Sequence, residues 1–328
     1  MLTAVKLAAG QAWSAWRQYP AARRALLTTR PGPPILVTGP YRSGTSWVGA
    51  MLAPAGLWHL HEPFNPNRGL WGEELAYADA GAPRAALDAF VHRLVRGGHR
   101  GALRLPRSRR WYAPLRLLPI RPKRVLLKDP SAAFLSEYLV RRHGMQAVVL
   151  FRHPAAVASS LLGLGWPTGE LVQRMLADEA LMEGPLARMR TSMAEAASRR
   201  DALSAAVFHG CVAHVLWWFS ERNPEAMIRL SYEELCRDPE GGFRRLFQRL
   251  GLDRSDRSAR VHGRLTAGAA SGEYDPFGVV RASAAMPGTW PGRMRGSDLA
   301  VVRDVWERFE VPLYRDAAEW DPAIKESR

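Results

Sequence analysis

Pro34-Ile35-Leu36-Val37-Thr38 runs directly into Gly39-Pro40-Tyr41-Arg42-Ser43-Gly44-Thr45-Ser46-Trp47. The first run is short and apolar, the pattern of a strand buried on both faces. Beyond the glycines, Val48-Gly49-Ala50-Met51-Leu52 continues as the first turns of a helix. A glycine-bearing loop between a strand and a helix gathers backbone N–H groups and the positive helix end on one anion. The spacing matches the phosphate-binding pattern G-x-x-x-x-G-K-[ST] at all but one position. Thr45 stands where the Lys belongs, and the cation is Arg42, inside the loop. Enzymes that use Mg-ATP need that Lys at the β/γ-phosphates and the next hydroxyl on the metal. This loop has the anion cradle without the γ-phosphate machinery.

A second strand-to-helix junction lies downstream. Gln146-Ala147-Val148-Val149-Leu150-Phe151 ends in Arg152-His153-Pro154, and Ala155 to Leu161 follows as a helix with Pro154 in its first turn. Ser160 stands eight residues after Arg152. Six helical residues rise roughly 9 Å, a gap a long Arg side chain helps to close. Read by itself, the pair is Arg152 capping a carbonyl while Ser160 bonds its own helix backbone.

Tyr41-Arg42-Ser43-Gly44-Thr45-Ser46-Trp47 resembles the 5′-phosphosulfate loop of sulfotransferases that use 3′-phosphoadenosine 5′-phosphosulfate (PAPS). The family's usual form is Tyr-Pro-Lys/Arg-Ser-Gly-Thr-Thr/Ser-Trp; here the proline, Pro40, sits one step earlier. Arg152 and Ser160 have the spacing of the pair that holds the 3′-phosphate in that family. Arg124-Val125-Leu126-Leu127-Lys128-Asp129-Pro130 sits where cytosolic members carry Lys-Thr-His, so the resemblance supplies a Lys but no His. Met227 to Leu235 is similar to the family's strand and "Tyr-Glu-Asp-Leu" segment, which places Tyr232 near the adenine. Asp238-Pro239 and Phe243 to Leu252 match the helix that follows. The resemblance spans about residues 34–252. Near the C-terminus Gly288-Thr289-Trp290 lacks the preceding Arg-Lys-Gly; Arg281, Arg293 and Arg295 are candidate substitutes, and Trp290 is either core or cofactor lid.

The resemblance implies a P-loop NTPase-like sulfotransferase fold of class α/β, a central parallel sheet flanked by helices. It implies a PAPS site made of Arg42, Ser43, Gly44, Thr45, Ser46, Trp47, Arg152, Ser160 and Tyr232, with adenosine 3′,5′-bisphosphate as product and no metal. The alternation of patterns agrees with that fold. Strands are expected near 35–39, 57–61, 125–128, 146–151 and 226–231. Helices are expected near 45–54, 84–96, 132–143, 155–162, 186–198, 201–222, 240–250 and 298–309. The chain divides into an N-terminal amphipathic helical segment, 1–33, packed on a domain of 34–328 with a basic insertion at 96–124.

The chain has 328 residues, 47% of them hydrophobic, with a formal charge of +15. That describes a globular protein with a large core, not a disordered one. Between Arg96 and Arg124 ten Lys or Arg occur with no Asp or Glu. This segment either gathers an anionic acceptor, touches an anionic membrane, or is a solvated loop. Two cysteines, Cys211 and Cys236, have no metal-ligand spacing and suit a reducing compartment. The N-terminus shows no signal-peptide pattern and the chain no apolar run of transmembrane length. With the resemblance to soluble bacterial members, this sets the expectation of a cytoplasmic enzyme.

In-line sulfuryl transfer needs positioning and charge stabilisation. Arg42 and Lys128 are the cations for the bridging oxygen; Lys128 is one of only four lysines. A hydroxyl acceptor also needs a base. Glu62, in Leu60-His61-Glu62-Pro63-Phe64-Asn65, is the first candidate, with His61 and Asp129 behind it. The alternative for Glu62 is an ion pair with Arg42 or Lys128. Trp58, Trp71, Trp111 and Trp166 suggest apolar or sugar-stacking surface, so the acceptor is expected among hydroxylated glycans, lipids and natural products, an amine being the lesser option. Two other classes stay open: a small-molecule kinase using Mg-ATP, which the missing Lys opposes, and a non-catalytic basic binder of nucleic acid or membrane, which leaves the two ordered phosphate loops unexplained.

Overall fold

The computed structural model describes residues 31–68, 70–98, 122–268, 278–280, 282–294 and 296–321. The N-terminal amphipathic segment up to residue 30, most of the basic insertion (99–121, with Trp111), Arg281 and Arg295 lie outside the described residues.

Five parallel strands form one sheet: β1 (Ile35–Thr38), β2 (Trp58–His61), β3 (Val125–Lys128), β4 (Gln146–Phe151) and β5 (Met227–Ser231), in the order β2-β3-β1-β4-β5. β1 lies at the centre, with Val37 opposite both Lys128 and Val148. The loops carrying Arg42, Glu62, Asp129 and Arg152 therefore leave the same, carboxyl edge of the sheet, on both sides of the point where the strand order reverses. Open α/β sheets bind ligands there.

Alternate strand residues feed two cores. Leu36, Leu60, Leu127, Ala147, Val149 and Phe151 point into one. Ile35, Val37, Leu126, Val148 and Leu150 point into the other. Helices cover both faces: α1 (Thr45–Leu52), α2 (Ala85–Val95), α3 (Ser136–His143), α4 (Pro154–Gly163), α5 (Thr168–Leu176), α6 (Glu179–Glu183), α7 (Arg190–Ala196), α8 (Ala202–Arg222), α9 (Tyr232–Arg237), α10 (Pro239–Arg249), α11 (Asp256–Thr266) and α12 (Gly296–Arg308). The expected helix at 132–143 is split: Pro130–Leu135 is a 3₁₀ turn capped by Asp129, and α3 starts at Ser136.

α8 corrects one expectation. It is long and apolar enough to cross a membrane by length and composition, with a mean hydropathy of 1.4, yet 83% of that stretch is buried inside the protein. Its capping box, in which Asp201 and Ser204 exchange hydrogen bonds, sets its start. Arg124 corrects another. It belongs to the basic run by sequence, but its guanidinium is buried and bonds the carbonyls of Pro33 (2.7 Å) and Leu250 (2.7 Å) and Gln146 Oε1 (2.6 Å). This arginine fastens the start of β1 to the end of α10 and the start of β4.

Candidate active site

The loop after β1 is built on left-handed backbone. Arg42 has φ 70 and Gly44 φ 101, and Ser43 N–H closes a turn on the Pro40 carbonyl at 3.1 Å. Such alternation turns successive N–H groups inward into an anion-binding concavity. Gly44 cannot be another residue without strain: a Cβ there would lie 2.6 Å from the ring of Tyr232. α1 then begins at Thr45 with no side-chain cap and no acidic residue in its first turn. Its first N–H groups have no acceptor within the helix. Ser43 Oγ is buried with no partner in the protein. A buried hydroxyl is normally bonded, so this one fits an anion's oxygen.

Arg152 and Ser160 meet this loop. Arg42 Nε donates to Ser160 Oγ at 3.0 Å, across 118 residues of chain. Arg152 Nη1 donates to the Arg42 carbonyl at 2.8 Å, and its guanidinium lies 4.4 Å above the Tyr232 ring. Arg152 does cap a carbonyl, but one in the phosphate loop; Ser160 accepts from Arg42. Arg152 Nε is buried without a partner. Thus Arg42, Arg152 and Ser160 form one cationic, hydroxylated surface continuous with the loop's N–H groups. Tyr232, 1% exposed, is the floor beneath Gly44 and Arg152. Trp47 is buried beside it, edge-on to Tyr232 at 5.8 Å and to Phe243 at 5.3 Å.

Across the loop, the last residue of β3 meets the turn after β2. Lys128 is only 1% exposed and its Nζ forms an ion pair and hydrogen bond with Glu62 Oε1; the Glu62 side chain is 18% exposed. The lysine's stem packs on α1, where a Cβ on Gly49 would come 3.0 Å from Lys128 Cγ. Asn65 Nδ2 donates to the other Glu62 oxygen at 2.9 Å, and His61 Nε2 lies 3.7 Å from Glu62 Oε1. Asp129, the reserve base, is fully buried. Its Oδ2 accepts Phe64 N–H at 2.6 Å and its Oδ1 accepts Ser131 N–H at 2.9 Å. Burial first, and the Glu62 charge beside it, push its carboxyl up to about 7. With no exposed surface and each oxygen turned to a backbone N–H, Asp129 faces away from a substrate proton.

Several residues around the site carried no functional reading in the sequence. The Tyr41 hydroxyl is shared with Ser131 Oγ at 2.7 Å and donates to Glu74 Oε1 at 3.2 Å; its ring meets Trp166 at 4.8 Å. Burial holds that phenol well above its ordinary pKa. Glu233 accepts His153 N–H at 3.0 Å and the Tyr314 hydroxyl at 2.6 Å. The His153 ring stacks on Trp290 at 5.0 Å, with Tyr314 and Trp320 against its other sides. Trp290 is therefore core, and that core grips the residue next to Arg152. Arg293 bonds the Thr289 carbonyl (2.9 Å) and hydroxyl (2.7 Å) within its own turn. Trp58 is buried in the core and Trp71 packs on Phe64 and Phe90. Trp58 therefore presents no stacking face, while Trp71 is half-buried. Among the described residues no group of three or more His, Cys, Asp or Glu is arranged to hold a metal ion.

A profile of the family described as "Sulfotransferase family" matches residues 33–256. No curated protein matches the chain. Among solved structures the chain is similar to sulfotransferase STF1 from Mycobacterium tuberculosis, with 18% identity and a TM-score of 0.41 over 92% of this chain and 81% of that one. It is similar to mouse sulfotransferase SULT7A1 complexed with PAP, with 14% identity and a TM-score of 0.38 over 93% of each chain. The sulfotransferase domain from the curacin biosynthetic pathway shares 17% identity, with a TM-score of 0.38 over 91% of this chain and 99% of that one.

Proposed function

The chain belongs to the sulfotransferase family, and we propose that it moves the sulfuryl group of PAPS to a hydroxyl of a glycan, lipid or natural product. The observation that carries the proposal is the junction at Arg42, whose side chain reaches Ser160 at 3.0 Å while its carbonyl receives Arg152 at 2.8 Å. One surface thereby offers two anion sites, as a nucleotide phosphorylated at both 3′ and 5′ positions requires. The unpartnered Ser43 Oγ and Arg152 Nε fit that ligand. Ser43, Thr45, Ser46 and the N–H groups that open α1 would hold its 5′ end; Arg152 and Ser160 would hold its 3′-phosphate. PAPS, when bound, supplies an activated sulfuryl group that carries less negative charge than a phosphoryl group.

The remaining work falls to the chain's own side chains. Lys128, buried at the end of β3, carries the positive charge that favours an oxyanion leaving group. Glu62 is the base that takes the acceptor's proton, and Lys128 and Asn65 fix its two oxygens. The acceptor's body has a candidate place in a cavity of about 220 Å³ whose wall includes Glu74, Arg174, Leu171 and Met175. Glu74 ties that wall to Tyr41, next to Arg42. Its mixed lining supports an acceptor with both apolar and hydroxylated parts. A cytoplasmic setting is part of the proposal, supported by the two buried free thiols, Cys211 and Cys236.

The test is a thermal-shift titration with adenosine 3′,5′-bisphosphate beside Mg-ATP. Bisphosphate at a hundred times its dissociation constant should add about 2.7 kcal/mol of stability, and Arg152→Ala should abolish the effect. Glu62→Gln should still bind the bisphosphate while losing about 10²–10⁴-fold in turnover. Stabilisation by Mg-ATP alone would make the chain a kinase. No response to either ligand would leave only a basic binding surface.

A further inference from the structure

Glu62 has φ 53, a backbone conformation that a non-glycine residue keeps only where its surroundings hold it. Its own N–H donates to the Lys128 carbonyl at 2.8 Å, extending the pairing of β2 with β3 by one residue. Two residues on, Phe64 N–H donates to Asp129 Oδ2 at 2.6 Å. Asp129 Oδ1 accepts Ser131 N–H at 2.9 Å, and Asp129 N–H donates to the Val37 carbonyl at 2.9 Å. One buried residue thus links the turn carrying Glu62, the end of β3 carrying Lys128, and β1, which delivers the phosphate loop. Phe64 itself is fully buried against Phe90 at 5.3 Å, so a shift of its backbone would disturb a packed core.

Resting on the sulfotransferase reading, we infer that Asp129 is a positioning residue for Glu62: its carboxylate holds the Phe64 amide and so keeps the strained Glu62 turn, and the Glu62 carboxylate, on Lys128. Asp129 touches no reactant. Its clamp is strongest when ionised, because a carboxylate accepts the two N–H groups more strongly than a neutral carboxylic acid does. The charged and titratable groups around it are Glu62, just past β2, with His61 at the end of β2 beside Glu62; Lys128 from β3; and the Tyr41 phenol, backed by Glu74, from the loop after β1. Burial and the Glu62 charge outweigh Lys128 and the two N–H groups and set the carboxyl at about 7. The clamp therefore loosens as pH falls through neutrality.

The experiment uses the full chain and two readouts. Turnover is followed with PAPS and three probe acceptors: 4-nitrophenol, methyl glucoside and dodecanol. Amide hydrogen exchange, corrected for intrinsic rates, is followed on the peptide containing Phe64. Asp129→Asn should lower kcat by about 10²-fold, the scale of a misplaced catalytic group, with bisphosphate binding unchanged and Phe64 protection lost. In the wild type, kcat and Phe64 protection should fall together near pH 7, and the acid limb should be absent in Asp129→Asn. The wild-type profile keeps the inference testable if the variant does not fold. Unchanged kcat in Asp129→Asn, or wild-type Phe64 protection that is flat across neutral pH, would overturn it. Lost protection in a wild type that sulfates none of the probes would count against the transferase reading and leave the clamp standing.

Discussion

Gly44→Ala is the substitution whose cost can be worked most directly from the structure. Gly44 has φ 101 and lies over Tyr232, so that a Cβ would sit 2.6 and 2.7 Å from two ring carbons. Holding an L-residue in left-handed backbone costs about 1–2 kcal/mol. Forcing a methyl group into a packed site costs about 1–3 kcal/mol more. The ring cannot yield cheaply, because Trp47 stands edge-on to it and Arg152 lies 4.4 Å above it. The expected destabilisation is about 2–5 kcal/mol. With an unfolding entropy of about 2.1 cal/mol/K per residue, 328 residues give a Tm loss of about 3–7 °C. The assay is thermal unfolding followed by circular dichroism, with and without adenosine 3′,5′-bisphosphate. The ligand's Kd should rise as well, since loop and Arg152 share the displaced ring. Combining Gly44→Ala with Tyr232→Ala should show a coupling of about 0.5–3 kcal/mol, the range for residues in contact. A Tm within about 1 °C of the wild type, with Kd unchanged, would refute the argument that Tyr232 supports the loop.

Lys128→Ala should destabilise the fold by about 3–5 kcal/mol, because it leaves the Glu62 carboxylate without its buried counter-charge; Lys128→Met with Glu62→Gln should recover most of that in a denaturant titration while remaining inactive. His209 predicts an acid effect on stability. Burial lowers its pKa to about 3, so the unfolded chain, near 6.5, takes the proton first. Stability from neutral His209 is present above that unfolded value and is lost as pH falls through 6.5 towards 3. His209→Leu should flatten that slope, removing a term on the order of 5 kcal/mol. Asp129 has the opposite sign: its raised carboxyl favours the fold below its unfolded pKa and loses that contribution as pH rises to about 7. Asp129→Asn should therefore unfold no more easily at alkaline pH than the wild type, even as turnover falls.

All five strands appear within a residue or two of where the apolar runs place them, because a strand buried on both faces is written as one local apolar stretch. The loop was legible for the same reason: its glycines, Arg42 and the following helix are contiguous. α5, α6, α9 and α11 were not anticipated. Their signals are local but slight: α5 and α11 are amphipathic, and Asp178, Ser231 and Ser255 cap α6, α9 and α11, in short stretches rich in polar residues that read equally as loop. Tyr41, Ser131, Glu74 and Glu233 were missed as site residues because each acts through a partner 80 or more residues away or through such a partner's neighbour.

The sequence by itself determined the class of the fold, the order of its strand-to-helix junctions and the family. The first two rest on patterns that local sterics and periodicity impose; the family rests on the resemblance of its motifs. Only the tertiary structure decided that Arg42 bridges to Ser160 and Arg152, that Lys128 pairs with Glu62, and that Asp129 is buried behind them on the Phe64 and Ser131 amides. Parallel strands are joined by long crossovers, so residues that share the carboxyl edge of the sheet come from distant stretches of chain. Which of them touch is set by strand order and register, and neither is encoded in any single segment.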